Sequence, residues 1–164
     1  MTTLRNITGA LLGALLLMGC TTPAKTNPPS FDGLISAHLD GDYEQVLYWC
    51  PAYLDSPVEQ PRLSEWCLYG LPAAMWLAFD STRALDMLRA VCTDVPTGEL
   101  RGSEQFRMYY AGEVVRWFAL PLRAQRRDEL LLRSRDAMVE QVSKVCGLDP
   151  GIVILASEAV LHKR

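Results

Sequence analysis

Histidine is nearly missing from this chain: His38 and His162 are the only two in 164 residues. Imidazole is the usual base beside a catalytic thiol or hydroxyl and a common metal ligand, so its scarcity removes many such sites at the outset. His38 lies one helical turn after Leu34 and close to Asp40, where a helix-surface histidine near a turn is expected. His162 reads as a helix terminator. The chain also lacks G-x-S-x-G, H-E-x-x-H, P-loop and G-x-G-x-x-G patterns. No two cysteines form a C-x-x-C pair, so a zinc site is not expected. Glu99 and Glu104 flank LRGS at 100–103, which a glycosidase could use if the carboxylates were held at a fixed separation. Solvated loop charge is the simpler account of that pair. The expectation is therefore no catalytic residue, no metal and no enzyme activity.

Two further absences bound partners and fold. Neither sign of charge dominates: 16 Lys and Arg stand against 19 Asp and Glu, for a net charge of −3. A mildly acidic chain does not suit general nucleic-acid binding, so no nucleic-acid partner is expected. No apolar run reaches the roughly 20 residues that span a bilayer core. From Ser30 onward sustained apolar–polar alternation is almost missing, which argues against strands.

What is present begins at the amino terminus. MTTLRN carries Arg5, and ITGALLGALLLMG at 7–19 carries no charge, the layout of an export signal. Its end, Leu17-Met18-Gly19-Cys20, resembles the lipobox of bacterial lipoproteins. That resemblance implies cleavage after Gly19 and acylation of Cys20, so the one expected group is the covalent lipid, with no other cofactor. Thr21, where an aspartate commonly retains such proteins at the inner membrane, implies the periplasmic face of the outer membrane. TTPAKTNPPS at 21–30 has three prolines and no large apolar residue, so 20–30 is read as the lipidated cysteine and a flexible tether. Ten such residues span very roughly 18 Å. Residues 31–164 then form a single domain.

With Cys20 lipidated, four cysteines remain: Cys50, Cys67, Cys92 and Cys146. An even count in an oxidising compartment predicts two disulfides, with three pairings open. Cys50–Cys67 and Cys92–Cys146 are preferred. The first two lie on successive predicted helices, and the second pair would staple the C-terminal helices to the middle of the fold.

The domain reads as all-α. Helices are expected over about 31–39, 43–54 and 61–79, with Pro51 and Pro72 each starting a new helix or kinking one. Ser81 is the expected cap of a helix whose face is Ala84, Leu85, Leu88, Val91 and Cys92. Ser103 caps a stripe of Phe106, Tyr110, Val114 and Trp117 that ends before Pro121. Residues 125–145 place Leu131, Met138, Val142 and Val145 on one side, and Asp149-Pro150 opens a last helix. Two hairpins, 34–57 and 73–96, resemble tetratricopeptide repeats. The first has Gly41-Asp42-Tyr43 at its turn and Val46 three residues on; Ala84 is the counterpart of Val46, 38 residues later. Residues 97–145 show no third copy. Helical hairpins of this kind, or an irregular helical bundle, are the two architectures expected.

Aromatic residues exceed what two or three helix stripes need for packing. Tyr48, Tyr53, Trp66, Tyr69 and Tyr109 are the candidate partner-binding anchors, Tyr109 foremost because Tyr110 already occupies the buried stripe. Arg123, Arg126, Arg127, Arg133 and Arg135 make a locally basic stretch with Asp128, Glu129 and Asp136 interspersed. A salt-bridged solvated face is expected there, with a patch for lipid headgroups or an acidic partner as the sharper alternative. A small helical lipoprotein with two disulfides is similar to the pilotins, which bind a tail of a secretin subunit and carry it to the outer membrane. The resemblance implies an adaptor or assembly factor for an envelope machine, its partner a secretin or another outer-membrane component. The alternative is an immunity or inhibitor lipoprotein against a periplasmic toxin or lytic enzyme; an envelope hydrolase comes third.

Overall fold

The computed structural model describes residues 28–57, 59–93 and 103–159. These residues form seven helices and no strand: α1 (Phe31–Asp40), α2 (Tyr43–Asp55), α3 (Pro61–Leu77), α4 (Ser81–Cys92), α5 (Glu104–Ala124), α6 (Asp128–Cys146) and α7 (Pro150–Ala159). The protein is all-α and built of helical hairpins. The α5 helix is central and packs on α1, α3, α6 and α7, while α2 packs on α3 and α4 on α3 and α6. Tyr110, Val114 and Phe118 of α5 meet Leu88, Met138, Val142 and Val153 in one half of the core. Leu34, Val46, Trp66 and Leu71 fill the other half, and Trp76 and Trp117 pack against both. Gly112 permits a close approach of α5 to α7, because a Cβ there would meet that of Ala156 on α7 at 2.7 Å.

Local signals set the helix starts. Ser30 accepts from the Gly33 N–H at 3.1 Å, and Ser103 from that of Phe106 at 3.1 Å. At α4 the cap is Asp80, which accepts from Arg83 N–H, and the expected cap Ser81 is the first helical residue. An aspartate one residue earlier reaches the orphan amides first. Pro51 and Pro72 start no new helix: α2 and α3 run through them, and α5 runs through Pro121 to Ala124. Proline cannot donate to the carbonyl four residues back. In α5 that carbonyl belongs to Trp117, and the His38 ring supplies the missing donor: its Nε2 lies 2.8 Å from the Trp117 oxygen.

Disulfides join Cys50 to Cys67, between α2 and α3, and Cys92 to Cys146, between the ends of α4 and α6. Their Cα atoms lie 5.3 and 5.0 Å apart. Closing loops of these lengths stabilises the fold by about 3 and about 4 kcal/mol in the chain-entropy description.

Three hairpin turns share one backbone shape, as does the α6–α7 turn at Gly147, where φ is 65° and the Leu148 amide reaches the Ser143 carbonyl at 2.9 Å. Gly41, Phe79 and Arg126 each have a left-handed φ, of 87°, 64° and 55°. The amide after each reaches back five residues: Asp42 to Ala37, Asp80 to Met75 and Arg127 to Leu122, at 2.8, 2.8 and 2.7 Å. This is the Schellman closure of a helix end. Five residues beyond each turn stands a buried apolar side chain: Val46, Ala84 and Leu131. The third hairpin missed in the sequence is therefore α5–α6, its turn residue an arginine rather than a glycine. All three turns gather at one end of the molecule, where the Gln125 side-chain amide donates to the Leu39 carbonyl at 3.2 Å. Because α1 also packs on α5, the hairpins close on one another.

Candidate docking groove

The expected export signal, the expected lipobox residues Leu17, Met18 and Gly19, and Cys20 lie outside the described residues, as do Glu99, Pro96 and His162. Of the five aromatic candidates, Tyr48 is 64% exposed and Tyr109 47% exposed. Tyr69 is half-buried, its ring edge-on to Tyr109 at 6.5 Å. Burial, then neighbouring Tyr109, Glu65 and Glu113, pushes its hydroxyl pKa well up, so it stays a protonated donor. Tyr53 and Trp66 lie in the core instead. Trp66 is 2% exposed, its ring edge-on to those of His38 and Trp117 at 5.6 and 5.3 Å, and it has no free face for a partner.

His38 is buried among Tyr43, Trp66 and Trp117 rather than on the helix surface. The sequence misleads here because the partner that draws it inward lies 79 residues away on α5. Accepting by the Trp117 carbonyl fixes the proton on Nε2, so Nε2 donates. Desolvation lowers the His38 pKa from 6.5 to about 4, outweighing the opposing effect of that hydrogen bond. The ring is a neutral structural tie near pH 7, closed off from any substrate.

Glu113 was not singled out by sequence, yet it is a buried carboxylate, 3% exposed. One Arg116 guanidinium nitrogen donates to both its oxygens at 3.2 Å, and the Trp117 indole N–H donates at 3.1 Å. The i, i+3, i+4 spacing of Glu113, Arg116 and Trp117 on α5 was the available signal. With its lone pairs engaged, this carboxylate serves packing. Glu104 is exposed in the first turn of α5. Among the described residues no three His, Cys, Asp or Glu side chains converge as metal ligands.

The basic stretch divides in two. Arg135 pairs with Glu158 of α7 at 2.9 Å, and exposed Arg133 reaches Glu129 at 3.9 Å. Arg123 and Arg126 are exposed and carry no ion pair among the described residues. They flank the α5–α6 turn, and Arg123 lines a separate hollow with Arg116 and Arg135. One further feature was missed by sequence altogether.

That feature is Phe79. The helical pattern Trp76–Phe79 suggests one continuous helix to residue 79, but α3 stops at Leu77 and Phe79 adopts the left-handed turn conformation. Its side chain is 92% exposed. It stands on the lip of a groove of about 210 Å³ lined by Trp76, Leu77, Phe118, Leu122 and Leu130, with Ser81 and Ser134 at the edge. The α3–α4 turn, the end of α5 and the start of α6 build it. A second, larger hollow of about 700 Å³ lies at the other end of α3, beside Pro28, Trp49 and Gln60. The chain matches no protein-family model, no curated protein and no solved structure.

Proposed function

We propose that this chain is a lipid-anchored protein on the periplasmic face of the outer membrane, acting as a protein-binding adaptor or assembly factor in the manner of the pilotins. The observation that carries the reading is Phe79, exposed and left-handed on the lip of an apolar groove. A left-handed conformation costs an L-residue about 1–2 kcal/mol. Leaving a phenylalanine in water forfeits a further ~2 kcal/mol of burial. A glycine would close the same turn without either cost, so the aromatic is better explained by what it touches in a complex. Aromatic anchors beside preformed apolar pockets dominate many protein interfaces.

The arrangement also suits a tethered adaptor. The α3 helix begins near Pro28, where the tether enters, and its seventeen residues carry the chain about 25 Å to the groove. An anchor at one end leaves the groove clear of the membrane at the other. A photo-crosslinking amino acid at position 79, in intact cells, tests the reading against a control at exposed Arg89 on α4. The expected result is one dominant adduct, absent from the control, to an envelope channel subunit or another outer-membrane component. Capture of a secreted toxin or lytic enzyme would replace the adaptor with an immunity or inhibitor protein. Adducts no different from those of the Arg89 control would remove the groove from the account.

A further inference from the structure

The hollow at the tether end is distinct from the Phe79 groove, and its meaning rests on the lipid-anchor reading above. Between Cys20 and Pro28 stand only residues 21–27, so eight peptide steps separate the anchor from the domain. A flexible run of that length covers very roughly 16 Å, and a fully extended one about 27 Å. The entry point is fixed rather than loose. The Tyr53 hydroxyl donates to the Pro29 carbonyl at 3.3 Å, and Ser30 caps α1. Pro28 and Pro29 thus line the hollow together with Phe31, Trp49, Tyr53 and Leu63. An anchored chain would therefore keep this end of the domain within very roughly 16–27 Å of the bilayer.

The side chains here have interfacial chemistry. Tyr48 is the most exposed tyrosine of the five candidates, and its ring stands edge-on to Trp49 at 5.0 Å. Tyrosine and tryptophan, each with an apolar body and a polar tip, concentrate at the boundary between headgroups and acyl chains. The charges at this end are mixed. The Arg62 guanidinium lies 4.3 Å over the Phe31 ring, Glu59 lines the hollow, and Asp32 and Asp55, each next in sequence to a lining residue, are exposed. Carboxylates outnumber cations on the described face, which opposes a negatively charged surface. A headgroup carrying both charges is complementary: its ammonium meets the carboxylates and its phosphate meets Arg62.

We propose that this end of the domain is a lipid-binding face, seated at the headgroup boundary of a zwitterionic, ethanolamine-type bilayer, with Tyr48 and Trp49 in the interface. The seat would orient the hairpin-turn groove away from the membrane and make the anchor a directed mount.

The test uses the mature, acylated protein reconstituted into vesicles of ethanolamine and choline lipids, with or without phosphatidylglycerol. Mass spectrometry of Cys20 and vesicle flotation report the anchor itself. Lipids brominated near the headgroup report contact through tryptophan quenching. Wild type should be quenched at least about twofold more than Trp49→Phe, and added phosphatidylglycerol should reduce that difference. Tyr48→Trp, at an exposed position that folding does not use, should add a further quenched component. Acylated, floating protein whose Trp49 and Tyr48→Trp signals ignore the brominated lipids would overturn the seat and leave the anchor standing. Quenching that rises with phosphatidylglycerol would overturn the zwitterionic assignment. An unacylated Cys20 would remove the anchor and the seat together.

Discussion

The Gly41 and Phe79 turns close two hairpins with the same hydrogen bonds and nearly the same backbone, yet they face opposite fates. The Gly41 turn is bound into the molecule. A Cβ on Gly41 would meet the Gln125 amide nitrogen at 2.8 Å, that amide donates to Leu39, and His38 ties the same helix to α5. The Phe79 turn projects a large apolar ring into water. Turn geometry alone therefore does not explain the residue that occupies it. Glycine at 41 suits a left-handed φ of 87° and leaves room for the Gln125 side chain that ties the turn to the end of α5, whereas phenylalanine at 79 has no folding role that the structure displays.

The largest expected effect breaks the bound turn. Above pH 6.5 His38 is neutral in folded and unfolded chains alike. Between about 6.5 and about 4 the unfolded chain binds a proton that the buried ring refuses, so stability falls as pH falls. The full loss, reached below pH 4, is on the order of 3 kcal/mol. Urea midpoints measured across this range should show it, and His38→Gln should flatten that part of the curve. Next in size, Gly41→Phe should cost about 2–3 kcal/mol, through left-handed strain and loss of the Gln125–Leu39 hydrogen bond. Denaturant unfolding would read it directly, and an unchanged midpoint would mean that the two turns are interchangeable.

The sharper comparison runs the other way. Phe79→Gly should stabilise the fold by about 1 kcal/mol, raising Tm by a few degrees, while weakening any partner contact at the groove by tenfold or more. Gain of stability with loss of binding is the signature of a residue kept for a partner; loss of both would make Phe79 structural. The smallest effect is that of Arg126→Gly, a gain of about 0.5–1 kcal/mol from the same relief of strain. Thermal unfolding followed by far-ultraviolet circular dichroism would resolve it.

Much of the fold was legible because its signals are short in range. Helix periods, the Ser103 and Asp149 caps and the α4 stripe each depend on residues within a turn or two of one another. The Cys50–Cys67 pairing followed from neighbouring helices, and Cys92–Cys146 from the remainder. The candidate groove was not legible in this way. Its lining comes from α3, α5 and α6, and Phe79 reads as one more apolar residue on a helical stripe. Trp66, chosen as an anchor, carries no mark in the sequence that separates a core tryptophan from a surface one.

By itself, then, the amino-acid order determined an all-helical chain with two disulfides, because hydrogen bonds within a helix and caps at its ends are local. Tertiary structure alone decided that His38 goes inside, that a proline-orphaned carbonyl on α5 receives it, that Arg126 closes a third hairpin and that Phe79 is left outside. Those outcomes depend on which distant surfaces meet, and burial at one position is settled by residues tens of places away.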